Sequence, residues 1–129
     1  QEEGQIWEAA MYAPAKNVDN IVAIVDYNKK QIDGPTDDVL SLGDLRAKYE
    51  SFGWKVWECN GNDMQELVDT FNKIRENAHK GQSQILLAHT EMGMGVDFMM
   101  GTHKWHGVAP NDEQAANALS QLKETLGDY

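Results

Sequence analysis

The sequence has little cysteine, little positive charge and no long apolar stretch. With a single cysteine, Cys59, the chain cannot form an internal disulfide, which fits a reducing compartment. Only 11 Lys and Arg residues stand against 21 Asp and Glu, for a net charge of -10, and this excludes a nucleic-acid binder. No apolar run approaches the roughly 20 residues of a membrane span, and no signal peptide is visible. These absences predict a cytoplasmic protein that binds neither nucleic acid nor membrane.

The most apolar segment is the run 21–25, IVAIV, in which four of the five residues are β-branched. Such a run, stopping at Asp26, predicts a strand buried on both faces in the middle of a parallel sheet. The segment after it is polar and contains Asn28 and the turn-forming residues 33–35. Because ligands of open α/β sheets bind beyond the carboxyl ends of the strands, any chemistry of this chain should begin at Asn28.

Two further strands are predicted, at 54–59 near a sheet edge and at 84–89. Cys59 falls in the first of these, which predicts a buried, inert thiol rather than a reactive one. A first helix is predicted over residues 4–13, because the segment is rich in helix formers, and Pro14 should end or kink it at about Ala13.

Apolar residues at three- and four-residue spacing predict three more helices. One ends at Gly53 and carries Leu42, Leu45, Tyr49 and Phe52. The next, capped by Asn62 with Gln65 and ending near Gly81, carries Met64, Leu67, Val68, Phe71 and Ile74. The last, capped by Asn111 with Gln114, carries Ala115, Ala118, Leu119, Leu122 and Leu126.

A helix followed by three strand–helix units predicts a parallel, right-handed α/β sheet with helices on both faces. Three strands alone would leave both edges of the sheet open, which complete domains normally avoid. The chain also opens at Gln1, directly in a charged, helix-like segment. We therefore expect residues 1–129 to be an incomplete part of a longer protein, or a chain that needs partners.

Candidate functional residues follow the first and third strands. Asn28 offers a neutral amide oxygen suited to a hard cation such as Mg²⁺, although an Asn in this position is also a common turn residue. Residues 90–110 lack periodicity, and a loop of that length is usually functional or disordered. It contains four glycines and two histidines, and His106 is its candidate acid–base residue. No His or Cys pair has the spacing of a zinc site.

Four segments of the sequence resemble the transketolase family: QEEGQIWEAAM, VDNIVAIVDYNKKQIDGPT, HTEMGMGV and KWHGVAPND. They occur in the family's order over essentially all 129 residues. The resemblance implies that residues 1–129 are the later part of a thiamine-diphosphate-binding domain, the domain that holds the diphosphate. Transketolases of the pentose phosphate pathway move a two-carbon ketol unit from a ketose phosphate to an aldose phosphate. They use thiamine diphosphate with Mg²⁺, for which Ca²⁺ or Mn²⁺ can substitute.

The resemblance also implies a metal and cofactor site. Asn28 would supply its side-chain oxygen to Mg²⁺, and the backbone carbonyl of Lys30 would be another ligand. Ile32 would lie against the cofactor as an apolar contact, and Met92 with Gly93 would line the same pocket.

Three acidic and basic positions complete what the resemblance implies. His106 would be the active-site histidine, which touches both the cofactor and the donor sugar. Glu3 and Glu8 would belong to an acidic cluster near the subunit interface.

The family's motif begins with a Gly-Asp-Gly segment that this chain does not contain, and the glutamate that activates the cofactor belongs to a separate pyrimidine-binding domain. The resemblance therefore implies that the chain works with the rest of a transketolase, as a homodimer or a split-subunit assembly, and is inactive alone. Two alternatives remain: a non-catalytic α/β module that binds partners, and a related ketol transferase such as dihydroxyacetone synthase.

Overall fold

Helices separate the strands of the main sheet along the chain, which gives a parallel α/β architecture. The computed structural model describes residues 1–123. In chain order the elements are α1 (Gly4–Ala15), β1 (Val22–Asp26), β2 (Lys30–Gln31), β3 (Gly34–Pro35), α2 (Thr36–Val39), α3 (Leu45–Ser51), β4 (Lys55–Asn60), α4 (Met64–Glu76), β5 (Gln84–His89) and α5 (Asp112–Gln121). The main sheet is parallel throughout, which confirms the fold class predicted from the sequence.

Strand β5 is the centre of this sheet, with β1 on one side and β4 on the other. Leu87 of β5 lies in register between Val25 of β1 and Glu58 of β4. Ile85, Leu86 and Leu87 are at most 1% exposed. They are buried because the strand carries apolar side chains on both faces and helices cover both.

The prediction that residues 21–25 form the middle strand is wrong. Among residues 1–123, β1 pairs only with β5, and Ile24 is 59% exposed. The apolar runs of β1 and β5 are equally compatible with a buried strand, so their composition could not rank them. Strand β4 is at an edge of the sheet, as predicted, but begins and ends one residue later than 54–59.

The two faces of the sheet carry separate apolar cores, because alternate residues of a strand point to opposite sides. Helices α1 and α3 build one core, in which the rings of Tyr49 and Trp54 meet edge to face at 5.7 Å. Helix α4 builds the other, in which Ile74 packs with Cys59 and Leu86. The thiol of Cys59 is therefore buried, as predicted.

Pro14 was predicted to end or kink α1 at about Ala13; the helix does not end there but continues through Pro14 to Ala15. Pro14 has no N–H to donate to the carbonyl of Ala10, four residues earlier. The indole Nε1 of Trp54 donates to that carbonyl instead, at 2.7 Å. A side chain from the connection between α3 and β4 thus replaces the missing helical bond, and the last turn of α1 is retained.

Helix α3 is shorter than its apolar spacing predicted. It begins at Leu45, after Asp44, whose side chain accepts a hydrogen bond from the Ala47 N–H. Leu42 precedes the helix but is still buried in the core. Gly53 ends the helix as predicted, with a φ of 96° that a glycine adopts without strain.

The cap predicted for α4 is displaced by one residue. The N-cap is Asp63, whose side chain accepts a hydrogen bond from the Glu66 N–H at 3.0 Å. Asn62 does not cap this helix: its Oδ1 accepts the N–H of Glu91 at 2.7 Å. Asn and Asp are both good N-caps, so the sequence Asn-Asp leaves the register ambiguous.

The apolar face predicted for α4 is only partly buried. Ile74 lies in the core, whereas three other members of that face are exposed: Met64, Val68 and Phe71. The helix ends at Glu76 rather than near Gly81. The side chain of Asn77 donates to the Lys73 carbonyl at this end, so a polar residue competes with continuation of the helix.

Beyond the main sheet, the structure adds a two-stranded hairpin of β2 and β3 and the short helix α2, none of which was predicted. The capping box of Asn111 and Gln114 on α5 is confirmed. Leu126, predicted to lie on this last helix, falls outside the described residues. No helix within residues 1–123 has the length and apolar character needed to cross a membrane.

Candidate functional site

A cleft of about 460 Å³ opens where β1, β4 and β5 end. Three chain segments form it: the loop after β1, the turn after β4 and the long loop after β5. Its lining residues are Asp26, Asn28, Lys30, Gln31, Asn62, Thr90, Glu91, Met92 and His106. Parallel strands bring their carboxyl ends to one edge of the sheet, so the position of this cleft follows from the topology.

The loop after β1 is held in a tight turn by Asn28. Its Oδ1 accepts the backbone N–H of Lys30 at 2.9 Å, and Lys29 between them has a φ of 58°. Asn28 is therefore a turn residue, which was the alternative to a metal ligand in the sequence analysis. An amide oxygen has two lone pairs, however, so the same atom can also coordinate a cation.

The backbone carbonyl of Lys30 can also serve as a ligand of a cation. Lys30 lies opposite Pro35 in the β2–β3 hairpin, and proline has no N–H to donate. The adjacent ladder bond is instead made by the Thr36 N–H to the Lys29 carbonyl at 3.0 Å. The turn thus presents an amide oxygen and leaves a backbone carbonyl without a bond from its ladder partner.

A second, smaller cleft of about 140 Å³ shares Asp26, Asn28, Lys30 and Gln31 with the first. Glu2 lines it, and its Oε1 is buried without a hydrogen-bond partner among residues 1–123. A buried carboxylate oxygen in this state is a group that a bound cation would satisfy. The donor set therefore fits a hard divalent cation.

Protein carboxylates alone would not hold such a cation here. Within residues 1–123, no three His, Cys, Asp or Glu side chains cluster closely enough to bind a metal ion together. Mg²⁺ is commonly bound by one or two protein groups together with the phosphates of a ligand. The cleft is thus better suited to a metal that arrives with an anionic cofactor than to a metal bound alone.

Glu91 connects the three segments of the cleft. Its backbone N–H donates to Asn62 after β4, and its Oε1 lies 3.0 Å from Lys30 Nζ after β1. The same Oε1 accepts the N–H of Gly101, in the middle of the long loop, at 2.9 Å. The Gly101 hydrogen bond and the Lys30 ammonium hold the pKa of the Glu91 carboxyl below its ordinary value, so this carboxylate is charged at neutral pH.

The long loop after β5 has an internal framework of its own. Trp105 Nε1 donates to the carbonyl of Phe98 at 3.0 Å, and the two rings meet edge to face at 5.3 Å. Gly93 packs so closely on Met99 that an added Cβ would lie 2.6 Å from the Met99 Cβ. These contacts give residues 92–105 a defined course without helix or strand.

The structure brings four of the predicted site residues to the large cleft: Asn28, Lys30, Met92 and His106. Gly93 does not line it, because it is turned onto Met99. Ile32 lies at the tip of the hairpin, 65% exposed and outside the cleft lining. Glu3 and Glu8 are exposed at the N-cap and in the body of α1, and neither lines the cleft.

Five lining residues were not predicted as site residues: Asp26, Gln31, Asn62, Thr90 and Glu91. Thr90 donates its hydroxyl to the carboxylate of Asp26, which ties the ends of β1 and β5 together. Asn62, Thr90 and Glu91 could have been predicted from their position directly after strands. Thr90 and Glu91 follow the strand 84–89 as closely as Asn28 follows 21–26. The sequence pattern instead favoured the glycines and histidines further along the loop, such as Gly93 and His106.

Comparisons of this chain with family models and with known proteins identify the same family. Residues 1–127 match the family described as transketolase, thiamine diphosphate binding domain. One subunit of an apulose-4-phosphate transketolase from Phocaeicola vulgatus is 40% identical over 98% of this chain and 44% of that protein. The 6-deoxy-6-sulfo-D-fructose transketolase subunit SqwG from Clostridium sp. is 34% identical over 95% of this chain and 44% of its own length. The chain therefore spans less than half of these relatives.

Solved structures agree. Transketolase from Campylobacter jejuni has a TM-score of 0.83 to this chain, with 25% identity over 93% of this chain and 18% of that one. The transketolase of Pichia stipitis in complex with sedoheptulose-7-phosphate has a TM-score of 0.82, with 25% identity over 92% and 17% of the two chains. Since the family match covers nearly every residue, this chain belongs to the transketolase family and corresponds to its thiamine diphosphate-binding domain.

Proposed function

We propose that this chain is part of a transketolase that transfers a two-carbon ketol unit from a ketose phosphate to an aldose phosphate. The observation that carries the proposal is the convergence of Asn28, Met92 and His106, from two separate loops, on one cleft at the carboxyl edge of the sheet. The match to the family supports thiamine diphosphate as the cofactor. We also propose that residues 1–129 are the later part of the diphosphate-binding domain.

In this proposal Asn28 Oδ1 and the Lys30 carbonyl hold Mg²⁺, or Ca²⁺ or Mn²⁺ in its place. The chain carries a net charge of -10, and two carboxylates, Asp26 and Glu91, line the cleft. A diphosphate would be repelled there unless a cation lay between the phosphates and the protein. Neutral oxygen ligands hold the cation without adding to that repulsion, which favours an amide and a carbonyl over further carboxylates.

The remaining residues have narrower roles in the proposal. Met92 gives the cofactor an apolar contact within the cleft. Gly93 and Ile32 lie outside the cleft lining and would contact parts of the cofactor that extend beyond it, which would cover the exposed side chain of Ile32. His106, exposed at the cleft, hydrogen-bonds the donor sugar and the cofactor. When bound, thiamine diphosphate supplies the carbanion chemistry that carries the two-carbon unit.

The assembly we propose contains more than this chain. Relatives from Phocaeicola vulgatus and Actinobacillus succinogenes are each named as one subunit of a transketolase, which implies a partner subunit in those proteins. We propose that a pyrimidine-binding domain and a second subunit complete the active site here, as a homodimer or a split-subunit cytoplasmic assembly. Glu3 and Glu8, both of them exposed, would then lie in an acidic cluster at the subunit interface.

Activity of the isolated chain and of the complete enzyme tests the proposal. Both are given xylulose 5-phosphate and ribose 5-phosphate with thiamine diphosphate and Mg²⁺, and ketol transfer is followed. We expect turnover by the complete enzyme and none by the 129-residue chain. Turnover by the isolated chain would contradict the need for a second domain. A complete protein that neither turns over nor binds thiamine diphosphate would favour the non-catalytic binding module.

A further inference from the structure

Glu91 is the residue through which the separate segments of the cleft contact one another. Its backbone N–H and its carboxylate together make three bonds, to Asn62, Lys30 and Gly101, at 2.7, 3.0 and 2.9 Å. Within residues 1–123, no other lining residue joins the loop after β1, the turn after β4 and the middle of the long loop. The side chain of Lys30 is 14% exposed and that of Glu91 is 34% exposed, so the ion pair is partly buried.

Two of these bonds act on groups with a role in the proposed function. The ion pair with Lys30 ties the turn after β1, whose Lys30 carbonyl is proposed to bind the metal, to the loop after β5. The bond to Gly101 fixes the long loop between Met92 and His106, the two cleft residues that the loop supplies. A residue that orients ligands without touching the metal commonly changes metal affinity about 10- to 100-fold when substituted.

We propose that Glu91 is a positioning residue, which holds the Lys30 turn and the long loop in the arrangement that binds the diphosphate and its metal. This inference rests on the proposed function, since it assigns a role toward the same cofactor. In this positioning role Glu91 contacts neither the cofactor nor the metal. The carboxylate acts through its length and its two bonds rather than through its charge.

An electrostatic role and a positioning role of Glu91 predict opposite effects of substitution on diphosphate binding, because Glu91 is an anion beside an anionic ligand. If charge dominated, removing it in Glu91→Gln would free the Lys30 ammonium and strengthen diphosphate binding. The positioning role predicts that Glu91→Gln stays near wild type, because the amide oxygen still accepts from Lys30 and Gly101. Glu91→Asp keeps the charge but is one methylene shorter, so its carboxylate cannot reach both partners.

The experiment measures thiamine diphosphate affinity of the complete enzyme at saturating Mg²⁺ by quenching of tryptophan fluorescence. We expect Glu91→Asp to bind the cofactor about 10-fold more weakly than wild type, and Glu91→Gln to stay close to wild type. The matched control is Glu50→Asp, which shortens the exposed partner of Arg46 (2.8 Å) away from the cleft and should leave the affinity unchanged. Wild-type affinity in Glu91→Asp, or tighter binding in Glu91→Gln, would overturn the proposal.

A second measurement needs neither turnover nor cofactor. Trypsin can cleave after Lys104, which is exposed in the long loop, and a loosened loop is cleaved faster. Glu91→Asp should accelerate this cleavage in the apo enzyme, and so should Lys30→Met, which breaks the ion pair from the other side. Lys30→Met keeps the test available if Glu91→Asp does not assemble. Unchanged cleavage in both variants would contradict the positioning role.

Asn28→Ala separates this inference from the proposed function. If Asn28→Ala weakens cofactor binding and Glu91→Asp does not, only the role of Glu91 is wrong. If neither variant alters cofactor affinity, the cleft is not the cofactor site and both proposals fail.

Discussion

The indole Nε1 of Trp54 donates to the carbonyl of Ala10 at 2.7 Å, and this bond takes the place of the one that Pro14 cannot make. Ala10 is 2% exposed and Trp54 5%, so water cannot replace the donor. The bond joins the residue just before β4 to the body of α1. The proline and the tryptophan are therefore coupled, although they are 40 positions apart by number (54 minus 14).

Trp54→Phe removes the donor and leaves the buried carbonyl unsatisfied, which should cost about 1–3 kcal/mol of unfolding free energy, together with any loss from packing. In a Pro14→Ala background the new N–H at position 14 can donate to the same carbonyl. We therefore expect the loss caused by Trp54→Phe to be smaller there. A double-mutant cycle by urea unfolding measures the coupling. Equal losses in the two backgrounds would show that the proline does not create the need for the indole.

Gly93 and Gly101 offer a matched pair for testing how closely the long loop is packed. Their φ values are 73° and 72°, so alanine pays the same left-handed strain at both positions, about 1–2 kcal/mol. An added Cβ at Gly93 would meet Met99 at 2.6 Å, whereas none of the described residues lies within 4 Å of one at Gly101. Gly93→Ala should therefore lose about 1–3 kcal/mol more than Gly101→Ala. Urea unfolding of the two variants measures the difference, and equal losses would contradict the close packing.

Much of the fold could be predicted because strong local signals decide it. Five apolar residues before Asp26, the capping box at Asn111 and the glycine at position 53 each identify an element or its end without tertiary information. The order of strands and helices then determines a parallel sheet. Even the cleft could be placed, because the carboxyl ends of parallel strands share one edge.

What could not be predicted depends on contacts between distant segments. The Ala10 carbonyl, left without a donor by Pro14, is bonded by Trp54, and Asn62, the predicted cap of α4, is bonded to Glu91 instead. The ion pair of Lys30 with Glu91 likewise joins two loops that have no pattern in common. Local propensity contains none of these pairings, so the sequence placed the cleft without showing what holds it together.

His106 should matter for turnover and His79 should not. Both histidines are exposed, but only His106 lines the cleft, while His79 lies beside Asp19 at the opposite end of β5. Loss of one bond to the developing charge typically lowers kcat about 100- to 1000-fold, which is the effect expected for His106→Asn. His79→Asn is the control, since asparagine tolerates the φ of 58° at that position. Steady-state kinetics of the complete enzyme compare them, and equal effects would remove His106 from the active site.

Cofactor binding by Asn28→Ala tests the central claim most directly. If Asn28 Oδ1 is a ligand of the metal, its loss should cost at least about 1.5–3 kcal/mol, or roughly 10- to 100-fold in affinity for thiamine diphosphate with Mg²⁺. Raising the concentrations of thiamine diphosphate and Mg²⁺ together should restore most of the turnover, because the defect is in binding. Asn72→Ala, on the exposed side of α4, is the control and should bind normally.

The same titration is run beside a thermal unfolding curve, because Asn28 Oδ1 also accepts the Lys30 N–H in its turn. A residue that only shapes the turn would lose about 1 kcal/mol of stability and leave the affinity alone. We predict weakened binding that high concentrations of cofactor and Mg²⁺ overcome. A lowered melting temperature with unchanged affinity for thiamine diphosphate would contradict the assignment of this cleft as the cofactor site.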